Sequence, residues 1–281
     1  MPSALTGQTP SFSLPRQPGR VGWEQVVAAI DPSKVSFPAH VSPWGADEGS
    51  LRLGVPALDD ALQGGLALGA LHEIAPASEL QLGSAFGFGL AIAALAAAGG
   101  RQVLCIATDY AACEGGAPYG PGLDRFGLPM DRLLILRVAH PRDALWACEE
   151  ALKCRALAAV VAELPQAGAA ADLTATRRLS LAAQAGGGLG LLLRQRPYPL
   201  PSAALTRWQV AAVLSKPDRF GGLGGTRFDL SLHRNRRGHC GRWITDWNHH
   251  ERIFVPPALS LGMAAAACDR SDRAPLLLRT A

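Results

Sequence analysis

Lysine is nearly missing from this chain. Three lysines, Lys34, Lys153 and Lys216, stand against twenty-four arginines in 281 residues, and none falls between Lys34 and Lys153. The arginine excess reads as a GC-rich coding bias rather than as selection for guanidinium chemistry. The gap excludes one specific device. A loop that cradles phosphates needs a lysine on the β/γ oxygens and a hydroxyl on Mg²⁺, supplied by the run Gly-Lys-Ser/Thr. No such run occurs anywhere in the chain.

Other absences narrow the class further. Charged residues make up 18% and hydrophobic ones 48%, which excludes a disordered chain and fits one good core with a small appendage. The six cysteines form no Cys-x-x-Cys pair, and Cys105 sits in an apolar run, so a disulfide framework is not expected and a reducing cytosol is. Residues 1–19 lack the apolar stretch of a secretory signal. The uncharged segment 85–98 is dominated by alanine and glycine and falls short of the roughly 20 strongly apolar residues of a membrane span. It reads as a helix buried against a sheet. No Gly-x-Ser-x-Gly elbow is present either.

What is there divides into a leader at 1–50, a main domain at 51–250 and a tail at 251–281. The leader carries a short amphipathic helix at 23–30 and a linker punctuated by Pro32, Pro38 and Pro43. In the main domain, apolar runs of strand length at 71–75, 102–108, 132–138, 157–164 and 189–193 alternate with helical stretches at 84–98, 119–126, 143–155 and 173–185. Asp143 and Asp172 are the expected caps of the last two helices. Apolar strands separated by helices imply a parallel sheet covered on both faces. After about residue 205 the pattern changes to strands at 205–213, 227–234 and 242–247, which read as antiparallel, the last two joined by the turn 235–241. No internal repeat is visible.

Gly54-Val-Pro-Ala-Leu-Asp59 and Gly64-Gly-Leu-Ala-Leu-Gly-Ala-Leu-His-Glu73 resemble the lead-in to a RecA-type ATPase core. The predicted fold is accordingly α/β: a RecA-like core with a mainly parallel central sheet, helices on both faces and a C-terminal antiparallel extension. That resemblance puts a phosphate loop directly after Glu73-Ile74. Leu82 and Gly83 stand near the places of its lysine and hydroxyl. Asp109 stands near the acid that would polarise water, and Glu163 near the metal-holding aspartate. Three departures together argue against Mg-ATP hydrolysis, because the missing lysine removes a large share of the phosphate stabilisation. The run Gly83-Ser-Ala-Phe-Gly87 has two readings: a generic anion site at a helix start, or glycines that let a helix pack closely on the sheet. His233, His239, Cys240, His249 and His250 gather near the C-terminal hairpin without the regular spacing of a structural zinc site, and read as solvated turn residues. The expectation is no catalytic residue, no cofactor and no metal.

Charge is concentrated late. Between Arg194 and Arg252 eleven Arg/Lys face four acids, a net +7 in a chain whose total is +4. Tyr198, Trp208, Phe220, Phe228, Trp243 and Trp247 are interleaved with them. Basic side chains among aromatics suit a nucleic-acid backbone or an acidic protein partner, although at least one of Trp208 and Trp243 is expected in the core. The candidate partner or DNA contacts are Arg194, Arg196, Arg207, Arg234, Arg236, Arg237 and Arg242. The segment 215–225 is flexible by composition.

The motifs around Gly54 and Gly64, with Tyr119-Gly-Pro-Gly-Leu123, Ala144-Leu-Trp-Ala-Cys-Glu-Glu-Ala-Leu152, Asp172-Leu-Thr-Ala-Thr-Arg-Arg-Leu179 and Thr206-Arg-Trp208, resemble the ImuA family over about 51–247. The resemblance implies a RecA-like accessory factor of SOS-induced translesion synthesis in the cytoplasm, associated with the nucleoid and not with a membrane. It implies as partners ImuB, a Y-family polymerase relative without catalysis, an error-prone replicative-type polymerase, and RecA, with single-stranded DNA as a further candidate. Two other readings stay open: a DNA-dependent ATPase of the recombinase or circadian-clock type, and a SulA-like inhibitor of cell division.

Overall fold

In a computed structural model of the chain, the described residues are 49–257 apart from 117, 165–171, 198–200, 216, 218–219, 221 and 223. The expected helix at 23–30 and the tail beyond 257 lie outside them. A small antiparallel ribbon of β1 (Ser50–Leu51) and β2 (Leu66–Ala67) brackets α1 (Pro56–Ala61). The main sheet starts with β3 (Ala70–Pro76) and gains β4 (Gln102–Thr108), β5 (Leu133–Val138), β6 (Leu157–Leu164), β7 (Leu189–Arg194) and β8 (Thr206–Ala212). Its other strands are β9 (Arg227–Asn235), β10 (Gly241–Asn248) and β11 (Ile253–Val255). The order across the sheet is β11-β10-β9-β8-β3-β7-β6-β4-β5. From β8 to β5 every pairing is parallel, and from β8 to β11 every pairing is antiparallel.

The strands at the centre are mostly apolar because helices cover both of their faces, and β7 is buried at every position, its terminal Arg194 included. On one face lies α2 (Leu82–Ala97), with Phe88, Ala91, Ile92, Ala93 and Ala96 fully buried. Glu79–Ala97 is apolar and long enough to cross a membrane by length and composition alone, but here it is packed against the sheet. Around α2 an aromatic cluster forms. Phe88 meets Trp208 at 5.6 Å, Phe228 at 5.9 Å and Phe254 at 5.4 Å between ring centroids, and Trp247 meets Phe254 at 4.8 Å. Tilted pairs at such distances contribute about 0.5–1.5 kcal/mol each beyond area burial. Two short helices, α3 (Asp109–Gly115) and α4 (Gly120–Phe126), lie between β4 and β5.

The opposite face is covered by α5 (Pro141–Leu152) and α6 (Leu173–Gly186). Asp172 caps α6 as expected, its Oδ1 accepting from the Ala175 amide at 2.8 Å. Asp143 does not cap α5. The cap position belongs to His140, because Pro141 occupies the first helical position, where its fixed φ and missing N–H are tolerated. The two helices touch through a glycine: a Cβ on Gly186 would lie 1.9 Å from the Leu152 carbonyl oxygen.

One late strand differs from expectation. β8 pairs antiparallel with β9 but parallel with β3, so it closes the parallel core instead of opening the extension. Its alternating burial records that one face is covered less fully, and such a pattern carries no information on strand direction. The sheet also runs past residue 250, since β11 pairs with β10.

Candidate functional site

The corner where a phosphate loop would stand is built from the end of β3, a 3-10 turn at Glu79–Gln81 and the first turn of α2. Gln81 occupies the position just before the helix. Its Oε1 accepts from the Ala212 amide at 2.8 Å and from the Ser84 hydroxyl at 3.1 Å, so a neutral amide ties the helix start to the end of β8. Glu79 is exposed and pairs with Arg196 at 3.2 Å. Across the corner, Glu163 accepts from Gln195 Nε2 at 3.3 Å. Asp109 opens α3 behind Thr108, whose hydroxyl accepts from the Ala111 amide at 3.2 Å, and pairs with Arg137 at 3.2 Å on the surface. An anion entering this corner meets Glu79 and Glu163, and the arginine that reaches it is already engaged.

Between these groups lies a cavity of about 290 Å³, walled by Leu82, Phe86, Tyr119 and Leu193 with Glu163 at its side. The two readings of the glycine run separate here. A Cβ on Gly83 would touch nothing within 4 Å, so close packing does not explain that glycine. Gly89, two residues beyond the run, supplies the close approach instead, with Leu193 Cδ2 3.0 Å from where its Cβ would be.

Two of the candidate arginines are turned inward. Arg194, at the end of β7, is buried, and its Nε donates to Glu73 Oε1. Arg207, at the start of β8, reaches the other oxygen of the same carboxylate at 2.8 Å. Glu73 thus binds two guanidinia across the β7–β3–β8 strip, a centre that sequence reasoning missed by treating Glu73 as the entry to a loop. The signal was available: a carboxylate inside the apolar run 71–75, and an arginine ending the run 189–193. On the other side of β3, His72 is fully buried. Its Nε2 lies 2.8 Å from the Ala67 carbonyl, which can only accept, so Nε2 carries the proton. Its Nδ1 then accepts from the Thr206 hydroxyl at 2.7 Å, which in turn accepts from Trp208 Nε1 at 2.8 Å. Burial lowers the His72 pKa to about 4, and the distant charge of Arg237 adds to this.

The remaining candidates lie on the surface in two groups. Arg242 forks onto Asp229, its Nε at 2.8 Å, on the uncovered face of β9 and β10, beside the cross-strand pair Arg227–Asp246. These acids neutralise part of the late basic sector. Arg234, Arg236 and Arg237 sit at and just beyond the end of β9, exposed, with Arg234 and Arg236 donating to the Ser202 carbonyl at 3.5 and 3.3 Å. Their end of the sheet is where β3 and β8 begin, opposite the corner around Gln81.

The interleaved aromatics divide likewise. Trp208, Phe228 and Trp247 are core, Trp243 packs against the core half-buried, Phe220 is exposed, and Tyr198 lies outside the described residues. His233 and His249 bond to Gln209 and to the Arg125 carbonyl. Among the described residues no cluster of three or more His, Cys, Asp and Glu is placed to hold a metal ion. Burial pushes the thiols of Cys105 and Cys148 up to about 12, as befits core residues.

No protein-family model matches the chain. A crystal structure of the RadB recombinase superposes with a TM-score of 0.51, covering 73% of this chain and 98% of that one at 16% identity, which establishes the RecA-like fold. A cell division inhibitor SulA from Edwardsiella piscicida is 37% identical over 82 residues, 29% of this chain and 46% of the relative. The protein ImuA of Caulobacter vibrioides is 35% identical over 217 residues, spanning 69% of this chain and 82% of the relative. With that identity over four-fifths of a curated relative, on a RecA-like sheet, the chain belongs to the ImuA family.

Proposed function

We propose that this protein is a non-catalytic RecA-like adaptor in SOS-induced mutagenic translesion synthesis, linking damaged or RecA-coated DNA to an ImuB-like polymerase relative and an error-prone polymerase. Family membership supports a place in the mutagenesis cassette. The observation that carries the adaptor reading is the corner at Gln81. Its turn offers a neutral amide already bonded to Ala212 and Ser84, Glu79 stands in the turn itself and Glu163 lines the cavity beside Leu82 and Gly83, and no lysine lies between Lys34 and Lys153. A triphosphate tail placed there would lack the cation on which phosphoryl transfer depends.

Calorimetric titration with Mg-ATP, paired with co-purification of the cassette proteins and RecA with and without single-stranded DNA, tests the reading. The expectation is no heat of nucleotide binding and retention of at least one of these partners. ATP turnover that a substitution at Gly83 abolishes would establish a DNA-dependent ATPase instead. The partial likeness to a SulA supports a second reading, and it predicts filamentous cells on overproduction.

A further inference from the structure

The corner cavity has a definite chemistry of its own. Four of its walls are the side chains of Leu82, Phe86, Tyr119 and Leu193, and its one charged lining group is Glu163. One oxygen of that carboxylate accepts from Gln195, and the other has no partner among the described residues. A site of this kind takes an apolar arm that ends in a cation, and it rejects anions. At about 290 Å³ it sits at the lower edge of ligand pockets, which run from about 300 Å³ upward, so it suits a few side chains better than a cofactor. Tyr119, itself a wall of the cavity, is 73% exposed, a large apolar ring left in water.

We propose that this cavity holds the chain's own C-terminal segment Pro275-Leu-Leu-Leu-Arg279, the leucines against its apolar wall and the Arg279 guanidinium on Glu163. Charge selects this segment over the leader. The leader's apolar run 26–30 has Glu24 and Asp31 as its nearest charged neighbours, which would set like charge against Glu163. The tail's run 276–278 has Arg273 and Arg279 in those places. Reach is ample. About 17 residues separate Pro257, the last described position, from Pro275. Extended, they span up to ~60 Å, against a radius of gyration of roughly 17 Å for a compact domain of about 200 residues.

The test is photo-crosslinking in the full-length chain, with a benzoyl-phenylalanine at position 277 and the adduct mapped by peptide mass spectrometry. Adducts are expected within one chain, on residues 82–86 or on Tyr119. Arg279→Glu is expected to lower their yield at least fivefold, and the double variant Glu163→Arg, Arg279→Glu to restore it to within twofold. Restoration by the charge-swapped pair separates loss of this contact from a change elsewhere in the fold. Adducts elsewhere, adducts joining two chains, or a yield indifferent to Arg279→Glu would each overturn the assignment.

Discussion

Arg194 and Arg207, from strands on either side of β3, converge on the single carboxylate of Glu73. Side-chain exposure is 3% for Glu73, 4% for Arg194 and 19% for Arg207, so the three are not equivalent. Glu73→Gln removes the shared counter-charge of a buried centre and is expected to cost about 3–5 kcal/mol, the scale of breaking a buried pair from one side. Arg207→Ala leaves Glu73 its deeper partner and is expected to cost about 1–3 kcal/mol. Urea unfolding of the two variants checks the order. Equal losses would mean that the carboxylate is not the hub.

The neutral His72 sets a pH dependence. With a folded-state pKa of about 4 against 6.5 in the unfolded chain, the unfolded state binds the extra proton between those values. Stability from this residue is complete above about pH 6.5 and is lost as pH falls toward 4. The loss amounts to roughly 3 kcal/mol, since one pKa unit corresponds to about 1.36 kcal/mol. Unfolding midpoints at pH 7 and pH 4.5 should therefore draw together in His72→Gln relative to the parent chain. An unchanged gap would show that other groups set the acid limb.

Much of this fold is legible in the sequence because apolar runs flanked by turns dictate buried strands. The run 102–108 and the run 157–164 became β4 and β6 with the same bounds. The short elements were missed: β1, β2, α1, α3 and β11 are two to seven residues long and carry too little periodicity to stand out. The late basic sector was legible as a count of charge, but a count does not tell inward from outward. Arg194 and Arg207 face inward onto Glu73, which lies 121 residues before Arg194, so the local pattern marks Glu73 and Arg194 as charges at apolar runs but does not pair them.

Two glycines separate close approach from open space. Gly186→Ala places a methyl group into the Leu152 carbonyl and must push α5 from α6, at about 1–3 kcal/mol or more. Gly83→Ala, in the first turn of α2 with nothing within 4 Å of the added carbon, is expected to be neutral or to stabilise by up to about 1 kcal/mol. Melting temperatures of the two variants should move in opposite directions or, at the least, differ by several degrees.

The arginine turn bears on the adaptor reading directly. Its backbone is held by the Asn235 amide and the His239 N–H, both donating to the Ala61 carbonyl, at 2.9 and 3.2 Å. The guanidinia of Arg234, Arg236 and Arg237 are exposed, but Arg234 and Arg236 also donate to the Ser202 carbonyl, so reversing all three charges should cost about 1–3 kcal/mol of stability. Partner or DNA retention should also fall several-fold. Salt dependence tells the two apart. A DNA contact through three arginines lowers the slope of log affinity against log salt by about 2–3 when they are reversed, because fewer counterions are released. A protein partner that meets the turn as part of a mixed surface shows a smaller change in slope with a comparable loss of affinity. Binding that survives the triple reversal at every salt concentration would remove this turn as a contact and move the search to the exposed apolar groups near the corner, Leu80 and Tyr119.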